Sequence, residues 1–145
     1  MEFPITELLD HESSLAWLIR HFHPGGFDCA QCGAPGDEAR CFRETARSQL
    51  LVYRCTRCDR VYNVYTGTVF QQSHLTPPQV VLLLRGVSKG EPTTTLAKEL
   101  GVSYPTVLKL RHALQANGTA QQPHTAISDR YTETDEMFQN AGEKK

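Results

Sequence analysis

Two Cys-x-x-Cys pairs constrain this chain more than any other feature of its sequence. Cys29 and Cys32 form the first pair, and Cys55 and Cys58 form the second. Each pair places two thiolates on one tight turn, so two such turns can close a tetrahedral four-sulfur site around one zinc ion. The 22 residues between the pairs suit a short β-hairpin, as in a zinc ribbon, although they slightly exceed the usual spacing. The pattern therefore predicts a structural Zn2+ held by these four cysteines.

Two rival chemistries remain open for the cysteines. A thioredoxin-like redox pair needs only one Cys-x-x-Cys in a βαβ context, and an iron–sulfur cluster also takes four thiolates. Four sulfurs leave no open coordination position, which favours a structural metal over a catalytic one. Cys41 is expected to be a buried strand residue. His21 and His23 can replace a ligand in principle, but we expect them to cap or flank the first helix.

The length and composition limit the class of protein. The chain has 145 residues, of which 39% are apolar, so we expect one domain or two small modules with tails. No stretch approaches the roughly 20 apolar residues that span a membrane. The start MEFPITELLD is acidic and lacks the positive segment of a signal peptide. Five cysteines are an odd number and argue against a disulfide framework. We therefore expect a cytoplasmic protein with reduced thiols and no membrane partner.

The charge is unevenly distributed along the chain. The formal net charge of −1 speaks at first against a nucleic-acid partner. However, residues 40–60 contain six arginines and two acidic residues, and residues 85–111 contain five basic and two acidic residues. Acidic residues gather near the start and after residue 129. Two basic central segments fit a surface that faces phosphates, and an ordinary solvated surface is the alternative.

Periodicity and turn residues predict small α+β modules. A first helix is expected over 10–22, because its apolar residues recur at helical spacing behind Asp10 as a cap. Three short antiparallel strands are expected over 40–44, 50–54 and 61–65, around the two cysteine knuckles. Three further helices are expected from Pro77 to near Gly90, from Thr93 to Leu100, and from Ser103 to about Ala116. The predicted segments are an N-terminal helix (1–24), a zinc ribbon (25–72), a helix-turn-helix domain (73–118), and a linker with a first catalytic-domain strand (119–145).

The segment TTTLAKELGVSYPTVLKLRH, residues 93–112, has the pattern of a helix-turn-helix. Ala97 is a small residue where two helices cross, Gly101 suits the turn, and Val107 and Leu110 point inward on the second helix. A plain helical hairpin in an interaction domain is the alternative. If the pattern holds, the residues expected to face the DNA major groove or its phosphates are Ser103, which also caps the helix, Tyr104, Thr106, Lys109 and His112.

Aromatic and basic residues alternate across the second knuckle. The residues are Tyr53, Arg54, Arg57, Arg60, Tyr62 and Tyr65. Such a surface can follow a nucleic-acid backbone, and the three arginines are candidate DNA contacts. In the alternative, the tyrosines pack a small core and the arginines are only solvated.

The order of these pieces resembles the N-terminal part of bacterial insertion-sequence transposases that begin with a zinc ribbon, the ISXO-like group of the DDE class. The resemblance implies a bacterial cytoplasmic protein whose ribbon and helix-turn-helix bind double-stranded DNA at the terminal repeats of the element. It also leaves room for self-association or for pairing with a full-length transposase. The matching segments are CAQCG (29–33), YRCTRCDRVYNVYTGTVF (53–70), LAKELGVSYPTVLKLRHAL (96–114) and ETDEMFQNAGEK (133–144).

The resemblance also implies a role for Asp135. In such transposases an aspartate at this place is the first of three ligands for two Mg2+ ions on an RNase H-like domain, which activate the nucleophile for attack on phosphodiesters. This chain differs by reading Asn140-Ala141-Gly142 where relatives often have Gly-Gly after an aromatic residue. Because one carboxylate cannot assemble that site, we expect no strand transfer or nicking by this chain alone. Metal-dependent nicking abolished by Asp135→Ala would contradict this expectation.

Two classes of function therefore remain. In the first, the chain is a DNA-binding portion of a transposase. In the second, it is a zinc-ribbon adaptor for proteins, or a module resembling a transcription regulator, derived from a transposase. An enzymatic function is a third possibility that requires a partner chain to supply the missing ligands.

Overall fold

The computed structural model describes residues 10–122, which form four α-helices and one three-stranded antiparallel sheet. This is the small α+β arrangement expected from the sequence. Asp135 and the strand predicted around it lie outside the described residues. The elements in chain order are α1 (His11–Phe22), β1 (Arg40–Glu44), β2 (Leu51–Arg54), β3 (Val61–Tyr62), α2 (Pro77–Ser88), α3 (Thr93–Leu100) and α4 (Tyr104–Ala120), with a 3-10 turn at Gly36–Glu38 before β1.

Helix α1 begins and ends as the sequence predicts. The carboxylate of Asp10 accepts a hydrogen bond from the Ser13 backbone N–H at 2.9 Å, which satisfies one unpaired donor of the first turn. Leu18 on its inner face is fully buried. After the helix, the ring Nε2 of His23 lies 2.8 Å from the Val64 carbonyl oxygen and ties the end of α1 to the segment that follows the sheet.

The sheet has the order β1-β2-β3, so that β2 lies in the centre and β1 forms an edge. Arg40 pairs with Arg54 at one end of the β1–β2 ladder, and an irregularity in register follows Cys41. We expected the third strand to reach residue 65, but it ends at Tyr62. The strand stops because the Asn63 side chain accepts the Tyr65 N–H at 3.0 Å, which starts a turn in place of further pairing.

The segment between β3 and α2 is held by its own side chains. The Thr66 hydroxyl accepts the Asn63 N–H at 2.9 Å, and the Thr68 hydroxyl donates to the Tyr65 carbonyl at 2.8 Å. The buried Tyr65 hydroxyl donates to the Leu75 carbonyl at 3.0 Å. These bonds fix the Thr-Gly-Thr segment directly before α2, so this connection is an ordered part of the fold.

Helices α2, α3 and α4 follow the predicted order, with one difference in length. Gly101, with φ at 63°, ends α3 in the left-handed conformation that glycine adopts without strain. We expected α4 to end near Ala116, but it continues through Asn117-Gly118 to Ala120. The last turn persists because the Asn117 side chain accepts the Gln121 amide at 2.6 Å and the Asn117 carbonyl accepts the Gln121 N–H.

The main apolar core joins all four helices to the residues that flank the sheet. Its buried members from outside the helices are Leu50, Val64, Tyr65, Phe70 and Leu75. The core thus draws on the predicted segments 1–24, 25–72 and 73–118 together. A smaller cluster lies beneath the knuckles, and Phe27 packs against both. The sheet is therefore held by the helices at one end and by the knuckles at the other.

Close packing of α2 against α3 depends on Gly86. A Cβ at this position would overlap the Leu96 side chain, which is only 2% exposed and has little room to move. We expect Gly86→Ala to lower the free energy of unfolding by about 1–3 kcal/mol, as overpacking of cores does. Gly118→Ala is the matched control, because nothing lies within 4 Å of its added Cβ in α4. The control should be neutral or stabilising in a denaturant titration, and equal losses in both variants would contradict the packing explanation.

Candidate metal centre and helical surface

The first knuckle is a tight turn built by the backbone around Cys29. The Gly33 N–H donates to the Cys29 carbonyl at 2.9 Å, and the Cys29 N–H donates to the Ala34 carbonyl at 2.9 Å. Gly33 has φ at 68°, a conformation in which a Cβ would be strained. The glycine directly after Cys32 therefore allows the turn that points both sulfurs inward.

The second knuckle repeats the same backbone pattern around Cys55. The Asp59 N–H donates to the Cys55 carbonyl at 3.1 Å, and the Cys55 N–H donates to the Arg60 carbonyl at 2.9 Å. Asp59 occupies the position of the glycine and has φ at 61°, which aspartate tolerates better than most residues. Two knuckles with one geometry thus face each other across the site.

The four sulfurs form a compact cluster. All of them lie within 4.8 Å of one another, as predicted for a metal-binding set. The Cys29 and Cys58 Sγ atoms are 3.5 Å apart, and those of Cys32 and Cys55 are 3.6 Å apart. A tetrahedron with Zn–S bonds of about 2.3 Å has edges of about 3.8 Å. The cluster is therefore compatible with one zinc ion bound by four cysteines.

Backbone donors favour the thiolate form of the first cysteine in each knuckle. The N–H groups of Cys32 and Gln31 lower the pKa of Cys29 to about 6. The N–H groups of Cys58 and Arg57 likewise lower the pKa of Cys55, and the Arg57 nitrogen lies 3.4 Å from its sulfur. Thiolate is the form that binds metal, so the turns prepare these two sulfurs for it.

The second cysteine of each knuckle has the opposite tendency. The backbone N–H of Arg60 lowers the pKa of Cys58, but desolvation and the neighbouring Cys29 thiol outweigh it and raise the pKa to about 12. The pKa of Cys32 is raised for similar reasons, with the Ala34 N–H opposing. Four adjacent thiolates repel one another, so a cation is needed to hold all of them deprotonated.

The other candidate ligands lie outside the sulfur cluster. Among residues 10–122 the group that can hold a metal consists of the four cysteines. His21 stacks on the Trp17 ring and bonds its carbonyl, as expected for a residue at the end of a helix. Cys41 was predicted to be a buried strand residue, but it is exposed, because neither apolar cluster includes a residue of β1 and all five residues of that strand are exposed.

The tyrosines beside the second knuckle pack inside the protein. Tyr62 is 3% exposed, and its ring lies 5.3 Å from that of Phe27. Tyr65 is buried in the main core, and Tyr53 packs edge-on against Phe27. Tyr53 and Tyr62 thus pack the small core as the alternative expected, whereas Tyr65 packs the main core. Packing inside the protein therefore accounts for the tyrosines at these positions, and no external ligand is needed to explain them.

Two of the three arginines predicted to contact DNA already have acidic partners. Arg57 donates twice to the Glu38 carboxylate, both at 2.8 Å. Arg54 lies 3.7 Å from the Asp59 carboxylate and 4.3 Å from the centre of the Phe42 ring. Arg60 is exposed. The Glu38 pairing joins residues 19 positions apart, and no local sequence signal indicates it.

The five side chains predicted to contact DNA share the exposed side of α4, namely Ser103, Tyr104, Thr106, Lys109 and His112. Val107 and Leu110 are buried on the opposite side, as predicted. Ser103 stands at the cap position, but its hydroxyl pairs with the Thr106 hydroxyl at 2.8 Å and makes no bond to a backbone N–H of the helix.

A groove of about 510 Å³ runs beside the start of α4. Ser103, Thr106 and Lys109 line one side of it. The other side contains polar residues that the sequence analysis did not single out, namely Gln71, Gln72, Ser73, His74 and Gln79. The Gln79 amide donates to the Leu100 carbonyl at 2.9 Å and so links the start of α2 to the α3–α4 turn.

Within residues 10–122, each helix is too short or too polar to cross a membrane. Comparisons of the chain with protein-family models, with curated proteins and with solved structures found no match.

Proposed function

We propose that this chain is the DNA-binding portion of a transposase of the zinc-ribbon insertion-sequence class. In this proposal the sheet with its knuckles is the ribbon, α3 and α4 are the helix-turn-helix, and the ligand is double-stranded DNA at terminal repeats. The observation that carries it is the two-sided character of α4. Val107 and Leu110 are locked into the core, and the exposed half of the helix circumference carries hydrogen-bonding and basic side chains.

The junction between α3 and α4 supports a helix-turn-helix. Gly101 makes the turn with positive φ, and the next N–H, of Val102, donates to the Ala97 carbonyl at 3.0 Å. Ala97 and Val107 are buried between the helices. A short turn with a small residue at the crossing is the arrangement in which the second helix can enter a major groove.

The exposed side chains at the start of α4 suit the two kinds of contact that DNA offers. Ser103 and Thr106 can bond base edges, and the Tyr104 ring, 46% exposed, can contact a thymine methyl group. Lys109 follows one turn after Thr106 and can bind a phosphate. The start of α4 would therefore read bases while its middle contacts the backbone.

Zinc has a structural role in this proposal. The residues that would hold it are Cys29, Cys32, Cys55 and Cys58, and four thiolates leave the ion no position for substrate. The ion supplies cross-linking between the two knuckles. The chain's own backbone donors orient the sulfurs, and Leu50 and Val64, which flank the strands, pack on the helices.

The proposal assigns no bond-breaking chemistry to the described residues. The related transposases use Asp135-type carboxylates with Mg2+, and Asp135 lies outside the described part of this chain. We therefore propose DNA recognition, without strand transfer by this chain alone, and Mg2+ would belong only to a complete catalytic domain.

The test is enrichment of binding sites from a pool of random duplexes, followed by salt-titrated shift assays. We expect Lys109→Ala to weaken binding about tenfold and to reduce the salt slope by about one, because one phosphate contact is lost. Lys89→Ala is the matched control. Lys89 is an exposed lysine that follows the last turn of α2 and lies outside the groove beside the start of α4.

The outcome distinguishes the proposal from its rival. If the wild-type protein fails to shift any duplex at low salt, DNA recognition is excluded. If Lys109→Ala and Lys89→Ala weaken binding equally, α4 has no special part in it.

A protein-binding adaptor is the second candidate, and one observation favours it. Phe42, 47% exposed, and Val61, 36% exposed, lie beside Arg54 on one face of the sheet and are unusually open to solvent. Exposed apolar groups of this kind mark protein interfaces when they are contiguous. This candidate predicts self-association or partner binding that Phe42→Ser abolishes, measured by sedimentation, together with no affinity for duplexes.

A further inference from the structure

We infer that the turn between β1 and β2 forms a second contact of the DNA interface, in which Arg43 and Arg47 bind phosphates. The inference rests on the proposed function and concerns which part of the sheet region faces DNA. In this inference the β1–β2 turn contacts DNA, in place of the second knuckle, from which Arg54, Arg57 and Arg60 were the expected contacts.

The first step is that two grooves adjoin. The groove beside α4 has Gln72, Ser73 and His74 on its far side. The same three residues line a second groove of about 580 Å³, whose opposite side is the β1–β2 turn with Arg43 and Arg47. A duplex seated along the start of α4 would therefore continue over the 72–74 segment towards this turn.

The second step concerns which cations remain available. Arg43 and Arg47 are exposed, and neither forms an ion pair with any of the residues that the structure describes. Glu44 is the acidic residue that lines the same groove. At the knuckle, by contrast, Arg54 and Arg57 have carboxylate partners. A phosphate at Arg54 or Arg57 would compete with those carboxylates, so at the knuckle end only Arg40 and Arg60 match the turn arginines in having no ion pair within residues 10–122.

The third step is the position of the turn relative to the metal centre. Strand β2 runs from Leu51 beside the turn to Arg54, and Cys55 follows directly. Four strand residues span about 13 Å, so the sulfur cluster lies at the opposite end of the strand from the turn. The 72–74 segment shares its groove with residues of the turn and with none of the cysteines. The metal-binding knuckles would therefore stabilise the strands at the end that lies away from the DNA.

The turn itself is rigid, as a phosphate contact requires. The Thr45 hydroxyl lies 2.6 Å from the Ser48 hydroxyl and accepts the Leu50 N–H at 3.0 Å. Leu50 is 1% exposed and belongs to the main core. Arg47 therefore projects from a backbone turn that is anchored to the core through Leu50, so little backbone entropy is lost when it binds.

Gln72 lies between the two grooves and, like Gln49 and Asp59, has a positive φ. Its φ is 64°, a left-handed conformation that is costly for a residue with a Cβ, yet a glutamine stands there. The residue is exposed and lines both grooves. Its amide offers the donor and acceptor pair that can bond phosphate or adenine. A polar side chain kept at a strained backbone position fits a ligand contact.

The test compares two double variants that remove the same charge from opposite ends of the sheet. Arg43→Ala/Arg47→Ala changes the turn, and Arg40→Ala/Arg60→Ala changes the knuckle end, where neither arginine has an ion pair within residues 10–122. The probe is a labelled mixed-sequence duplex of about three helical turns, roughly 30 base pairs. We expect the turn variant to bind at least tenfold more weakly with a salt slope lower by about 1.8, since each phosphate contact contributes about 0.9. The knuckle variant should lose less than about twofold.

Three results would overturn the inference in distinguishable ways. Equal losses in both double variants would show that only overall charge matters. The turn variant could bind DNA as well as the wild type while Lys109→Ala still weakens binding. That result would contradict the inference about the turn and would agree with the proposed function. Failure of the wild-type protein to bind the duplex would remove both.

Two further measurements do not depend on the folding of the arginine variants. In the wild-type protein, NMR amide signals of residues 43–48, 71–74 and 103–109 should shift on addition of the duplex, and those of 29–33 and 55–60 should not. Gln72→Gly relieves the strained φ, so its melting temperature should be no lower than that of the wild type, while its affinity falls. Unchanged affinity in Gln72→Gly, or shifts confined to 55–60, would count against the inference.

Discussion

Removal of zinc with a strong chelator is expected to unfold residues 28–62 and to leave the helical core in place. The small cluster beneath the knuckles contains Cys29, Ala34, Cys55 and Tyr62, too few apolar residues to fold alone. Zinc binding to comparable modules contributes about 10–16 kcal/mol of folding free energy. The main core draws mostly on α1–α4 and on residues 64–75, which lie outside the affected segment.

The chain contains a natural reporter for this experiment. Trp17 is its single tryptophan and is 3% exposed in the main core, so its emission follows the helices. On chelation we expect nearly unchanged emission, together with collapse of the NMR amide dispersion of residues 28–62. Cys58→Ser should reproduce this loss, whereas Cys41→Ser should bind one zinc ion normally, because Cys41 lies outside the cluster. Reduced protein found free of zinc by mass spectrometry would exclude the metal assignment.

Truncation of Leu83 is expected to be the most damaging single change among the aliphatic residues of α2. Leu83 is fully buried in that helix, which packs against both α1 and α3. Leu83→Ala should lower the free energy of unfolding by about 2–5 kcal/mol, from lost apolar transfer and from the cavity that remains. This is a large share of the roughly 5–15 kcal/mol that stabilises a domain of ordinary size.

Leu82→Ala is the matched control in the adjacent position of the same helix. Leu82 is 40% exposed, so its truncation removes the same atoms with little burial lost. In urea titrations followed by Trp17 emission we expect a change of less than about 1 kcal/mol for Leu82→Ala. Similar midpoints for the two variants would mean that α2 is not packed as described.

Local spacing was sufficient to predict the metal-binding set and most of the helices. Each knuckle is a turn of six residues with a positive φ after its second cysteine, at Gly33 and Asp59, and the β1–β2 hairpin between the knuckles brings them together. The bounds of α3 and the buried positions Val107 and Leu110 likewise follow from helical periodicity and from Gly101. The end of α4 was missed, because side-chain bonds at Asn117 offset the tendency of Asn-Gly to end a helix.

The strand ends and the exposure of the sheet were less predictable. The run from Val61 to Tyr65 has strong β propensity throughout, yet pairing stops where the Asn63 side chain bonds the backbone. Cys41 was expected to be buried because cysteine is among the residue types most often found inside proteins. Its exposure results from the position of β1 outside both apolar clusters, which the folded arrangement of distant segments decides.

The sequence by itself determined the two cysteine knuckles, the succession of helices and strands, and the pairing of α3 with α4, because each of these depends on residues that are close together in the chain. The tertiary structure alone decided which arginines are neutralised, as in Arg57 with Glu38, and which residues adjoin α4 in one surface. It also decided that Phe70 and Leu75 belong to the helical core. These are contacts between segments far apart in the chain, and only the folded arrangement brings them together.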